Sequence, residues 1–71
     1  MPGPKEHSRF CQNDEWILYK SNDHDYYQKV LNDGTILRTK VSRGTKEYSK
    51  TLFAEILKQL GCNKEYFNSK I

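Results

Sequence analysis

The chain holds little of what most function classes need. Its 71 residues include two cysteines, two histidines, two prolines, four glycines and one tryptophan. The longest uncharged apolar run is Trp16-Ile17-Leu18-Tyr19, far short of the roughly 20 residues that span a bilayer. No apolar signal segment follows Met1-Pro2-Gly3-Pro4-Lys5-Glu6-His7, so the expected location is the cytoplasm. Cys11 and Cys62 stand in no CxxC pair. A zinc knuckle wants four ligands at short paired spacings. A set of His7, Cys11, His24 and Cys62 lacks that spacing, so no metal and no cofactor is expected, and the thiols are expected to stay reduced. The glycine-rich phosphate loops GxGxxG and GxxxxGKS are absent, which removes the usual nucleotide-binding signatures. The chain is also below the roughly 100–150 residues of a typical domain, so it makes one domain with a thin core and no deep substrate pocket.

What is present is charge of uneven distribution. Twelve Lys and Arg stand against nine Asp and Glu, a net +3. Residues 1–15 sum to −1, whereas residues 38–50 carry Arg38, Lys40, Arg43, Lys46 and Lys50 against Glu47 alone, a sum of +4. A local cationic block is what a polyanion meets. A solvated strand and loop explains it as simply, since Lys and Arg also serve solubility.

The pattern predicts an α+β domain. Met1–Pro4 reads as a flexible tail and Lys5–Gln12 as a short helix with Pro4 at its first position. Glu15–Lys20, Tyr26–Leu31 and Thr35–Arg43 read as strands rich in aromatic and β-branched residues. Asp33-Gly34 marks a tight hairpin. In the third strand Leu37, Thr39 and Val41 alternate with Ile36, Arg38, Lys40 and Ser42, giving one apolar and one basic face. Ser49 caps a helix whose Leu52, Phe53, Ile56, Leu57 and Leu60 form an apolar stripe ended by Gly61. Asn63 caps a last turn carrying Tyr66 and Phe67. The expected fold is a two-layer sandwich, a three-stranded antiparallel sheet with helices on one face, in the order α-β-β-β-α.

Few residues remain to carry chemistry. His7 reads as a surface histidine. His24 lies in the loop Ser21-Asn22-Asp23-His24-Asp25, where rigid strands hold functional groups and where Asp23 and Asp25 stand ready to orient it or raise its affinity for protons. An ordinary loop histidine is the simpler account. RNA cleavage asks for little beyond such a group, because the 2′-hydroxyl is an internal nucleophile. One histidine serves as general acid or base, and Lys29, Arg38, Lys40, Arg43 and Lys46 are the candidates to steady the phosphate charge. Among the five tyrosines, Tyr26 and Tyr27 are candidates to stack on unpaired bases; cross-strand packing would use at least half of the five.

Several motifs fall in a familiar order. They are Asp14-Glu15-Trp16, Asp23-His24-Asp25-Tyr26-Tyr27-Gln28-Lys29, Asp33-Gly34-Thr35, Arg38-Thr39-Lys40-Val41-Ser42-Arg43-Gly44 and Leu52-Phe53-Ala54-Glu55-Ile56-Leu57-Lys58-Gln59-Leu60-Gly61. Together, over roughly residues 9–68, the chain resembles the HicA toxin family, the mRNA-cleaving halves of HicA–HicB toxin–antitoxin modules. The resemblance implies a fold like that of double-stranded RNA-binding domains. It also implies metal-independent endoribonuclease activity on mRNA, and a HicB-like antitoxin that covers His24 and the basic face of a chain monomeric when free. The family's catalytic histidine, in a Gly-Ser-His motif, falls on His24. Asn22-Asp23 replaces Gly-Ser, and Asn22 is expected to take the positive φ of the missing glycine. A non-catalytic RNA-binding module on the same scaffold is the alternative, as is a domain that docks a partner chain on its sheet.

Overall fold

The computed structural model describes residues 1–71. Its elements run α1 (Pro4–Asn13), β1 (Ile17–Ser21), β2 (Asp25–Val30), β3 (Ile36–Val41), α2 (Lys50–Leu60) and α3 (Lys64–Ser69). The strands form one antiparallel sheet in the order β1-β2-β3, so the chain is the α+β domain its pattern predicts, and the turn expected after Asn63 stands as α3. No helix is long and apolar enough to cross a membrane.

The pleat sorts side chains as β3 requires. Thr39 and Val41 are buried and Leu37 half-buried, while Ile36, Arg38 and Lys40 are exposed. β2 opposes β3 with Tyr27 across from Thr39 and Tyr26 across from Lys40, so Tyr27 is buried on the inner face and Tyr26 lies on the open one. Phe10 and Cys11 of α1, Phe53, Ile56 and Leu60 of α2, and Trp16 and Tyr48 complete the core. Phe67 of α3 stacks on Phe10 with centroids 5.1 Å apart and meets Phe53 edge-on at 5.2 Å. The shortest dimension of the molecule is 19 Å, room for one layer of helices, each about 10 Å across, over one sheet.

The helix ends follow local chemistry. The Ser49 side chain accepts the Leu52 N–H, and Gly61 closes α2 in the left-handed conformation, φ 69°. A Cβ at Gly61 would also stand 3.2 Å from a Leu37 methyl. The Asn63 side chain accepts the Tyr66 N–H at the start of α3. Gly34, φ 90°, makes the β2–β3 turn.

Four expectations need correction. Met1–Pro4 is docked: Tyr48 N–H donates to the Pro2 carbonyl at 2.8 Å, and Gly3 and Pro4 are buried, because Gly3 caps α1 and its N–H is taken by Glu6. β1 begins at Ile17 and not at Glu15, because Glu15 adopts φ 61° and the Trp16 N–H turns back to the Cys11 carbonyl at 2.9 Å, closing α1. Leu52 is exposed, so the buried stripe of α2 is Phe53, Ile56 and Leu60. His7 is wholly buried. Its Nε2 meets Thr39 Oγ1 at 2.9 Å and its Nδ1 meets the Tyr48 hydroxyl at 2.8 Å.

Candidate functional site

Antiparallel pairing lays the open face out in rows. Lys20, Tyr26 and Lys40 stand side by side across β1, β2 and β3, and Ile17, Gln28 and Arg38 make the next row. Val30 and Ile36 close the face at the far end. The register of β1 slips between Leu18 and Lys20, and the extra residue, Tyr19, turns its ring beside Tyr26 with centroids 6.1 Å apart and planes tilted by 51°. The Lys20 ammonium sits 5.2 Å from the centre of the Tyr26 ring, within reach of a cation–π attraction.

His24 stands where this face meets the β1–β2 loop. Its ring meets Tyr26 edge-on at 6.5 Å, and its carbonyl accepts the Asn22 N–H at 3.1 Å, which tightens the loop. Nδ1 is buried with no hydrogen-bond partner, so Nε2 is the nitrogen left to a substrate. Neither neighbouring aspartate bonds to the ring. Asp25 Oδ1 instead accepts the Ser21 hydroxyl at 2.8 Å and Arg43 Nη2 at 2.9 Å, and Arg43 also donates to Ser21 Oγ at 2.6 Å. The Ser21 hydroxyl, then the Arg43 guanidinium, and to a smaller degree His24, hold the Asp25 carboxyl below its ordinary range. This clamp ties the segment after β3 to the loop and holds Arg43 on Asp25. Asn22 has no positive φ, so it does not play the part expected of it; the loop turns without a left-handed residue.

The candidates therefore divide. His24, Tyr26, Arg38 and Lys40 gather at or beside the open face, and Arg43 stands at the rim, held on Asp25, the residue paired with the buried Val41. Lys29 does not join them. It lies opposite Leu37 on the inner face and its Nζ donates to Asp14 Oδ2 at 3.0 Å. Burial pushes the Asp14 carboxyl up, but the bonds from Tyr66, Lys29 and the Trp16 indole outweigh it and leave the group below its ordinary range. Lys29 thus serves a structural anchor that joins α1, β2 and α3. Tyr27 is in the core and offers no ring face to a base. Lys46 sits in the loop against the N-terminal segment, its carbonyl 3.3 Å from where a Gly3 Cβ would stand, and it is not grouped with His24. Tyr19 shares the face of Ile17 by simple alternation, Lys20 joins it only through the bulge, and the Asp25–Ser21 clamp on Arg43 leaves no trace in the residue pattern. No group of three or more His, Cys, Asp or Glu is arranged to hold a metal ion. Comparisons of the chain with protein-family models, curated proteins and solved structures return no match.

Proposed function

We propose that the chain is an endoribonuclease of the HicA kind, cleaving mRNA without a metal and silenced by a HicB-like protein over the same face. The observation that carries this reading is the contrast between the two histidines. The fold spends both ring nitrogens of His7 on buried hydrogen bonds. It gives none to His24, which stands unengaged beside Tyr26, with Lys40 opposite that tyrosine and Arg43 one residue away on Asp25. The α-β-β-β-α core order supports a likeness to double-stranded RNA-binding domains. The entry to β1 supports the resemblance to the HicA family: Asp14-Glu15-Trp16 stands where that family passes from helix to strand through glycine and an aromatic, and Glu15 takes a left-handed backbone, φ 61°, that glycine adopts without strain.

In this reading His24 Nε2 takes the proton of a 2′-hydroxyl. The 2′-oxygen bonds to phosphorus, the bond to the 5′-oxygen breaks, and that oxygen leaves with a proton from water. The products are a 2′,3′-cyclic phosphate and a 5′-hydroxyl end. Lys40, which has no carboxylate partner, neutralises the charge that gathers on the phosphoryl oxygens, while Arg43 stays on Asp25 and holds the loop.

The test is incubation of the purified chain with mRNA in EDTA, beside His24→Ala. Cleavage is expected from the wild type and a loss of about 100-fold or more from the variant. Equal cleavage by both, or none by either, rejects the role of His24. A second reading, binding without cutting, is favoured by the Nδ1 that no carboxylate orients; it predicts intact RNA bound by both proteins in the same tubes.

A further inference from the structure

We infer that the open face takes its RNA as a single strand and stacks an unpaired base on the Tyr19–Tyr26 pair, with the flanking phosphates on Lys20, Arg38 and Lys40. The inference rests on the proposed RNA substrate and names the form of it that this face accepts.

Three observations carry it. The first is a shallow groove of about 270 Å³ lined by Tyr19, Tyr26, Arg38, Thr39, Lys40 and Gln59, with no acidic residue among them. The second is the state of its cations. The four ion pairs of the molecule involve the N-terminal amine, Lys29, Arg43 and Lys58. Lys20, Arg38 and Lys40 have no carboxylate partner, so three positive charges on adjacent rows of one sheet face are left for an outside anion. The third is the pair of rings. Tyr19 is 45% exposed, and at 51° to each other the two rings do not stack together.

Unpaired cations interleaved with aromatic rings on an exposed sheet match the chemistry of a strand with splayed bases. A duplex buries its base faces in its own stack and offers only edges and backbone, so it would use the cations and leave the rings idle. An acidic polypeptide would likewise use the cations alone. The ring pair therefore separates the occupants. The geometry also orders the strand. His24 lies on the Tyr26 side of the groove, so the scissile phosphate is next to the stacked base and not several nucleotides away.

The experiment uses the full chain carrying His24→Ala, so that bound RNA stays intact, and a short fluorescein-labelled oligoribonucleotide without internal pairing. Anisotropy titrations compare this strand with its perfect duplex. The expected result is binding about tenfold or more tighter to the strand, with Tyr26→Leu weakening the strand by roughly 5- to 100-fold and leaving the duplex unchanged. Circular dichroism and a cooperative unfolding transition certify the variant; if it does not fold, Tyr19→Ala on the exposed ring makes the same comparison. Equal affinity for strand and duplex, indifference to the loss of the ring, or displacement by oligoglutamate as readily as by unlabelled RNA overturns the inference. The two readings fail separately. Wild-type cleavage unaffected by Tyr26→Leu removes the stacking and keeps the nuclease; stacking on a chain that never cuts removes the nuclease and keeps the face.

Discussion

At the scale of single residues the two histidines show how differently one side chain is used. The Thr39 hydroxyl donates to Gln59 Oε1 at 2.8 Å, so its oxygen must accept from His7 Nε2–H, and Nδ1 must accept from the Tyr48 hydroxyl. His7 is thus a neutral pin through α1, β3, α2 and the loop before α2. Burial lowers its proton affinity to about pH 4 from an ordinary 6.5, and raises the Tyr48 hydroxyl to about 12. The unfolded chain binds a proton at this ring near pH 6.5 and the folded chain only near 4. The stability that the neutral ring confers is therefore complete above 6.5 and lost as pH falls toward 4. A shift of that size is worth about 3 kcal/mol, large against the 5–15 kcal/mol typical of a whole domain. Urea unfolding between pH 7.5 and 4 is expected to show this decline, and His7→Gln to flatten it. A wild-type free energy constant over that window would contradict the buried neutral ring. None of this was legible in the sequence, because the partners of His7 lie 32 and 41 residues further on. The opposite holds for Lys29 and Tyr27. They alternate with Tyr26 and Gln28, so the pleat that sorted β3 also sends them inward, and the same rule applied to β2 would have removed both from the site.

At the scale of elements, the parts governed by local chemistry were readable. The alternation of β3, the Asp33-Gly34 turn, the Ser49 and Asn63 caps and the Gly61 stop each depend on a few neighbouring residues, and each stands where the pattern put it. Junctions were harder, because a chain reversal is paid in backbone conformation that side-chain patterns do not announce. The α1–β1 junction is the clearest case. Asp14 N–H bonds to the Phe10 carbonyl, Trp16 N–H to that of Cys11, and Glu15 between them takes φ 61°. This is a helix stop that normally uses glycine, made with a residue that pays about 1–2 kcal/mol for the left-handed region. Glu15 is exposed and forms no ion pair, so little is lost on replacing it. Glu15→Gly is expected to stabilise the fold by about 0.5 kcal/mol after glycine's greater chain entropy is deducted, raising the melting temperature by about 2–4 °C. Glu15→Ala keeps the Cβ and is expected to give no rise. A gain from alanine equal to that from glycine would mean that the backbone at Glu15 carries no strain.

At the scale of the whole molecule, the sheet separates two uses of charge. On its inner side Lys29 is consumed by the Asp14 anchor, and the clamp from Asp25 and Ser21 fixes Arg43 at the rim. On its outer side Lys20, Arg38 and Lys40 stay unpaired. A net charge of +3 understates this, because the charges that matter to a polyanion are those no carboxylate has already answered. The count of phosphates engaged is then set by the face and not by the composition. Three contacts predict that log Kd for an unpaired RNA strand rises with log salt at a slope of about 2, at roughly 0.7 per phosphate. Arg38→Ala combined with Lys40→Ala is expected to lower the slope by about 1.4, whereas Lys64→Ala on α3 leaves it unchanged although the net charge falls. Anisotropy titrations over a salt series measure all three slopes. If Lys64→Ala lowers the slope by half as much as the double variant does, binding follows overall charge, and the division of labour across the sheet has no bearing on RNA.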